Sequence, residues 1–208
     1  MIINFCDSVQ FQTRLEIDNQ LIEQVSETRL LGVNLSDTLK WHNNTREIVK
    51  KGNQRICLLR NLVSYDIPRK DLVHIYTMYV RSVIEQSSVV WGSSITESEK
   101  SALERIQKCS LRLIYNSNKH RFAEDYISYS ELLKRSGLSC LNTRREKLMQ
   151  KFSERCTQNP KTQHMFPENP NYMSKRRPER FKVPFSYHQR LAKSALPTMV
   201  DYLNKKYS

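Results

Sequence analysis

The chain changes from strand to helix across one stretch, residues 30–41, which read Leu30-Leu31-Gly32-Val33-Asn34-Leu35-Ser36-Asp37-Thr38-Leu39-Lys40-Trp41. Leu31, Val33 and Leu35 alternate with small or polar residues, which is the period of a half-buried strand. Gly32 inside this strand predicts a bulge or a close backbone approach, because it has no side chain to pack. After Trp41 the apolar period becomes helical for most of the chain. The stretch therefore predicts a joint between a small sheet and a helical body.

Strand signals also precede this joint. Residues 1–11 alternate in the manner of a strand, and Leu15 and Ile17 begin a second one. Asp18-Asn19 has the turn chemistry of a hairpin. Three short strands of this kind are marginal without a surface to pack on. We therefore expect the sheet to be the edge of a larger one, whose other strands would precede Met1.

The part after the joint carries the start and stop signals of several helices. Thr96-Glu97-Ser98-Glu99 is a capping box, and Ser128-x-x-Glu131 is a second one. Pro68 separates a helix that begins near Asn43 from the next, while a last long helix follows Leu138. Helices of this length joined by short loops pack as an antiparallel bundle.

Net charge is the strongest compositional signal. The 208 residues, enough for one domain or one with a small appendage, carry a formal charge of +13. Residues 1–141 hold 19 Lys/Arg against 16 Asp/Glu, whereas residues 142–208 hold 15 against 5. The asymmetry indicates a polyanionic partner, with nucleic acid as the first candidate. A merely solubilising basic tail is the alternative.

The last fifty residues are rich in proline and lack a steady period. We expect an extended or partly disordered segment to about Ser186, followed by an amphipathic turn from Leu191 to Leu203. Cations interleaved with Tyr172, Phe181 and Phe185 are typical of single-strand binding, because cations follow the backbone while aromatic faces accept bases. A nuclear-localisation cluster or a solvated tail is the competing interpretation.

The candidate nucleic-acid-binding residues lie on helical faces and in this tail. Lys and Arg spaced along a helix can follow a line of phosphates. The alternative is an ordinary solvated face. The candidates are Arg46, Lys50, Lys51, Arg55, Arg105, Lys108, Arg112, Arg144, Arg145, Lys175, Arg176, Arg177 and Arg180.

The cysteine and histidine spacings predict neither a metal site nor a cofactor. The five cysteines are odd in number and widely spaced, with no Cys-x-x-Cys pair. Reduced thiols fit a nuclear or cytoplasmic setting. The first residues lack a signal-peptide pattern, and no apolar run is long enough to span a bilayer, so we expect no membrane partner.

Four segments, in order, carry a resemblance to a known family. They are residues 30–41, Val89-Val90-Trp91-Gly92, the run from Leu103 through Ile114, and Ser194-Ala195-Leu196-Pro197. Together they resemble the C-terminal part of non-LTR (LINE-type) retrotransposon reverse transcriptases, which are RNA-directed DNA polymerases. The resemblance implies the last strands of the palm, the helical thumb and a C-terminal tail, with RNA or DNA as partner. It also implies that a separate palm could be a partner.

Catalysis is not expected of this chain by itself. A polymerase needs carboxylates that hold two metal ions. The resemblance implies an adjacent pair of aspartates, but no two of the seven aspartates here are adjacent. Nucleotide-binding glycine loops, the Gly-x-Ser-x-Gly elbow and His-x-x-x-His are absent as well.

A second resemblance covers about Leu30 to Asn116. This stretch is similar to a segment catalogued as the N-terminal domain of AlkB-homologue tRNA-modifying proteins, whose activities are iron/2-oxoglutarate dioxygenation and methyl transfer. Such a dioxygenase site needs a His-x-Asp pair and a distal His. None of the five histidines is part of a His-x-Asp, so we expect the similarity without the activity.

These observations predict a mainly α fold: a helical thumb-like bundle with a small N-terminal antiparallel β-sheet and a partly disordered basic C-terminal tail. The expected divisions are residual palm strands over 1–41, a helical domain over 42–157 and the tail over 158–208. We expect a catalytically incomplete nucleic-acid-binding fragment of a reverse transcriptase. The alternative is a helical protein-interaction module or a non-functional relic.

Overall fold

The structure is a computed structural model that describes residues 1, 3, 15–116, 124–170, 179–186 and 189–207. The described part is mainly α-helical, as the sequence predicts. No helix in these ranges is long and apolar enough to cross a bilayer. The helices are α1 (His42–Val63), α2 (Arg69–Ile75), α3 (Ser82–Glu85), α4 (Ser88–Trp91), α5 (Glu97–Ile114), α6 (Tyr129–Ser136), α7 (Leu141–Gln158), α8 (Gln189–Ala192) and α9 (Ala195–Tyr207).

The N-terminal strands form two antiparallel hairpins. Strand β1 (Glu16–Ile17) pairs with β2 (Gln20–Leu21), and β3 (Glu27–Leu30) pairs with β4 (Val33–Ser36). Asp18-Asn19 makes the first turn, as predicted, with φ angles of 51° and 60°. Positive φ at both central residues is the requirement of a type I′ turn. The strand predicted over residues 1–11 falls almost entirely outside the described residues.

Leu31 and Gly32 form the turn between β3 and β4, so the prediction that Leu31 belongs to a continuous strand is wrong. Their φ angles are 48° and 85°, which again fits a two-residue turn. Leu31 is 90% exposed at the tip. The predicted close approach at Gly32 is confirmed, because a Cβ there would lie 2.8 Å from Nε2 of Gln86.

Hydrogen bonds fix the joint between β4 and α1. The Ser36 hydroxyl accepts from the Lys40 N–H at 3.0 Å and donates to the Lys40 carbonyl at 3.1 Å. Asn34 N–H donates to the side-chain oxygen of Asn44 at 3.1 Å. Trp41 is buried immediately before α1, so the predicted change from strand to helix is confirmed.

The main core lies between α1, α5 and the helix that crosses them. Helix α2 continues through a π-helical segment, Tyr76–Arg81, into α3. Gly52 lets α1 approach closely: a Cβ there would lie 2.8 Å from Ile106 Cδ1 and 3.2 Å from Ile84 Cγ2. The fully buried members of this core include Tyr76, Val80, Ile84, Trp91, Leu103, Leu132 and Leu141.

The described C-terminal residues form a second small core against α7. Phe166 and Phe181 are buried with Met199, Val200 and Leu203 of α9. The prediction of an extended or partly disordered segment to about Ser186 falls partly outside the described residues, and the described Phe166 and Phe181 side chains pack inside the protein. The amphipathic turn predicted over Leu191–Leu203 is the end of α8 followed by α9.

Candidate nucleic-acid interface

Arg46 and Lys50 form an exposed pair of cations on α1. They lie one helical turn apart, about 6 Å along the axis, on the face opposite buried Ile48, Gly52 and Ile56. Neither has a hydrogen-bond or ion-pair partner among the residues that the structure describes. This face can therefore approach a polyanion without breaking an internal contact.

Lys51 and Arg55, the other two candidates on α1, are half-buried. The Arg55 guanidinium donates to the carbonyl oxygen of Tyr79 and lies 4.5 Å from the centroid of its ring. This contact ties α1 to the π-helical segment, where the main-chain carbonyls are displaced from a regular α-helical pattern. Arg55 thus has a structural role that its spacing on α1 does not indicate.

Helix α5 presents one exposed candidate, Arg105. Lys108 lies over the ring of Tyr129 at 5.8 Å, and Arg112 lies over that of Tyr126 at 5.9 Å. These cation–π contacts cover part of each side chain. Of the three predicted cations on α5, Arg105 is therefore the most available to a ligand.

The two candidates on α7, Arg144 and Arg145, differ in their exposure to solvent. Arg144 pairs with Glu85 at 3.4 Å and remains 41% exposed at its side chain. Arg145 is only 6% exposed, so its guanidinium is not presented on the surface in the way the prediction for this helix assumes. Burial lowers the pKa of its guanidinium. Helical spacing does not reveal this burial, because a charged residue is usually exposed, whereas residues of α4 and α9 line the same cavity as Arg145.

The tail candidates are described only in part. Lys175, Arg176 and Arg177 lie outside the described residues, as does Tyr172. Arg180 pairs with Glu168 at 2.9 Å and lies 4.8 Å from the ring centroid of Tyr207.

The aromatic residues predicted to accept bases have different environments. Phe181 is 5% exposed and meets the Phe166 ring edge-on at 6.5 Å. It cannot stack on a base without leaving its core. Phe185 is 77% exposed and is the better candidate for a stacking contact.

Sequence reasoning missed two lysines that the fold brings near Arg145. Lys100 on α5 and Lys193 between α8 and α9 line the same cavity as Arg145, which has a volume of about 420 Å³. They are separated from Arg145 by more than forty residues in the chain. No local spacing could have grouped them.

The described acidic and metal-ligating side chains are spread over several elements of the fold. Within the described ranges, no three His, Cys, Asp or Glu side chains are grouped closely enough to hold a metal ion. Glu85, for example, is held between Arg81 and Arg144.

No protein-family model, curated protein or solved structure matches the chain.

Proposed function

We propose that the chain binds RNA or DNA without extending it, in the manner of the thumb part of a non-LTR reverse transcriptase. The observation that supports this most directly is the set of exposed, unpartnered cations Arg46, Lys50 and Arg105. The net charge of +13 acts in the same direction. Contacts of this kind recognise phosphates and give weak sequence selectivity.

The test is a fluorescence-anisotropy titration of an RNA/DNA hybrid at several salt concentrations. The interface variant carries Arg46→Gln, Lys50→Gln and Arg105→Gln. The control variant loses the same charge at cations already held in ion pairs, through Arg135→Gln, Lys205→Gln and Lys206→Gln.

The two variants should differ in how strongly their affinity for the hybrid depends on salt concentration. Each phosphate contact contributes roughly 0.7–0.9 to the slope of log affinity against log salt. The interface variant should therefore have a slope shallower by about 2–3, while the control keeps nearly the wild-type slope. Equal slopes for both variants, or no binding by the wild type at low salt, would reject the proposal.

A protein-binding role is the second candidate, and the two hairpins favour it. Ile17, Leu21, Leu30 and Leu31 are all exposed there. Adjacent exposed apolar side chains on short strands commonly mark a surface that a partner covers. The partner that fits the resemblance is the palm of a reverse transcriptase of this type.

Sedimentation of the chain with such a palm polypeptide tests this candidate. A complex that forms with the wild type should be lost in the Leu21→Ser, Leu31→Ser variant and kept in Phe185→Ser, which removes a distant exposed apolar group. Failure to form any complex would remove this candidate and leave nucleic-acid binding untouched.

A further inference from the structure

Arg145 is a buried cation that forms no ion pair with the residues that the structure describes. Its Nε, Nη1 and Nη2 atoms are all shielded from solvent, and none has a hydrogen-bond partner in the described part of the chain. Arg81 is equally buried at 6% exposure, but it donates to Glu85 at 2.7 Å. Burying a charge is costly unless it is paired. Among the described residues, Arg145 is the one arginine whose three guanidinium nitrogens are all buried without a hydrogen-bond partner.

The nearby carboxylates are occupied by other groups. Glu104 accepts from the Leu141 N–H, Glu85 from Arg81, and Glu146 from the Asn142 amide at 2.8 Å. None of them lies within 4.0 Å of the Arg145 guanidinium. Burial lowers the pKa of Arg145, and the negative charge of these carboxylates raises it by a smaller amount, so the net effect is a lowering. Within the described ranges, these carboxylates therefore leave the Arg145 guanidinium unpaired.

A cavity beside Arg145 has further groups suited to an anion. Its volume is about 420 Å³, and its lining includes Ser93, Lys100 and Lys193. The Ser93 hydroxyl is also buried without a partner among the described residues. Cavities of roughly 300–1,000 Å³ hold small-molecule ligands in proteins. Two residues with buried, unsatisfied polar atoms thus line one cavity of ligand size.

Gly92 leaves room for the Arg145 side chain beside this cavity, because it has no side chain of its own. A Cβ at residue 92 would lie 3.1 Å from Arg145 Cδ and 2.5 Å from the Ser88 carbonyl oxygen. The aliphatic stem of Arg145 therefore runs against bare backbone. The position of the guanidinium depends on a residue without a side chain.

We propose that this cavity binds a phosphate-class oxyanion, held by Arg145 and Ser93 with Lys193 and Lys100 nearby. A guanidinium offers a planar fork of donors that matches phosphate oxygens. Because its nitrogens are covered, binding includes a rotation of the guanidinium into the cavity. Asp201 and Glu146 also line the cavity, but Asp201 pairs with Lys205 at 2.7 Å. The cavity lining does not include Arg46 or Lys50 of α1, nor Arg105 of α5.

Calorimetric titration with inorganic phosphate, in chloride of matched ionic strength, tests the proposal. Arg145→Met should weaken phosphate binding by about tenfold or more, because it removes charge-assisted hydrogen bonds. Ser93→Ala and Lys193→Gln should each weaken it by about threefold. Arg155→Met, an exposed arginine on the same helix that does not line the cavity, should bind phosphate like the wild type.

A second arm identifies the source of the phosphate. Short single-stranded oligonucleotides with and without a 5′-phosphate are titrated, with inorganic phosphate as competitor. Binding of inorganic phosphate alone indicates a small-molecule ligand, and Arg145-dependent binding of the oligonucleotide indicates a nucleic-acid phosphate.

The proposal is overturned if neither probe binds saturably, or if Arg145→Met binds as tightly as the wild type. Should Arg145→Met fail to fold, unchanged phosphate affinity in both Ser93→Ala and Lys193→Gln overturns it equally. Failure of this site leaves the salt-slope test of the α1 and α5 cations unaffected.

Discussion

Tyr76 begins a chain of hydrogen bonds that joins three helical elements, the π-helical segment, α5 and α6. Its hydroxyl donates to the Gln107 side-chain oxygen at 2.9 Å, and the Gln107 amide donates to the Tyr129 hydroxyl at 2.9 Å. Tyr129 in turn donates to Glu104. Buried polar groups persist only when they are satisfied. Removing one of these side chains therefore leaves a neighbour in the chain without its hydrogen-bond partner.

Replacing Tyr76 by Phe should lower the free energy of unfolding by about 1–2 kcal/mol, because the Gln107 oxygen loses its donor in the core. Urea denaturation measures this change. Tyr65→Phe is the matched control, since Tyr65 is 68% exposed, and it should change stability by less than about 0.5 kcal/mol. Similar values for the two variants would show that the buried bond is unimportant.

We expect the free energy of unfolding to depend on pH in the alkaline range because of Tyr76 and Tyr129. Burial raises the pKa of Tyr76 well above its ordinary value, and burial followed by the bond to Glu104 raises that of Tyr129. The unfolded chain, with a tyrosine pKa of about 10, then releases protons first. Stability from these groups is complete below pH 10 and is lost as the pH rises beyond it. Tyr76→Phe should show a smaller loss than the wild type between about pH 9 and 11.

Leu31 occupies a left-handed turn position, where glycine, asparagine and aspartate are more favourable than leucine. Leu31 has a φ of 48° and is followed by Gly32 in the β3–β4 turn. In a two-residue turn of this type the preferred pair is Asn-Gly. Leu31→Asn should therefore raise the free energy of unfolding by about 0.5–1 kcal/mol. Leu30→Asn, one residue earlier in the strand, is the control and should not stabilise. Thermal melting that shows no gain for Leu31→Asn would contradict this explanation.

At the scale of elements, α7 receives its N-terminal cap from another helix. The residue before it, Cys140, makes no side-chain cap, whereas Thr96 and Glu99 cap α5 reciprocally. Both carboxylate oxygens of Glu104 on α5 accept from the Leu141 N–H, at 3.2 and 3.0 Å. A carboxylate at a helix N-terminus also interacts favourably with the helix dipole.

Removing this cap should destabilise the protein by about 2 kcal/mol in Glu104→Ala, because it also deprives Tyr129 of its acceptor. Glu104→Gln keeps one oxygen and should lose about half as much. Glu124→Ala, at an exposed position, serves as the control. Guanidinium denaturation of the three variants measures the series, and an equal loss in Glu124→Ala would argue against the cap.

For the whole molecule, α7 connects two cores. Leu141 at its start belongs to the main core, while Met149 and Cys156 belong to the C-terminal one. Asn204 fixes the second core by pairing with both the N–H and the carbonyl of Phe181, at 2.8 and 2.9 Å. Because one helix serves both cores, we expect them to unfold together.

Phe181→Ala should lower the free energy of unfolding by about 3–4 kcal/mol, the loss typical of a buried phenylalanine. Phe185→Ala is the matched control, because that side chain is 77% exposed, and it should be nearly neutral. Circular dichroism and tryptophan fluorescence should report one shared transition. A separate early transition in the wild type would mean that the C-terminal core unfolds independently.

The sequence by itself determined the mainly helical character of the chain and several of its turns and helix starts. The capping box at Thr96, the turn at Asp18-Asn19 and the start of α1 after Trp41 were predictable because their signals lie within a few residues of one another. The mainly α fold follows from apolar periods of the same local kind.

Only the tertiary structure decided which cations are free. Arg46, Lys50 and Arg105 remain exposed, Arg55 is bound to Tyr79, and Arg145 is enclosed. Helical spacing gives the direction of a side chain, but its exposure depends on which distant segments pack over it. Residues far apart in the chain cover Arg145 and bring Lys193 beside its cavity, and no pattern within a single helix contains that information.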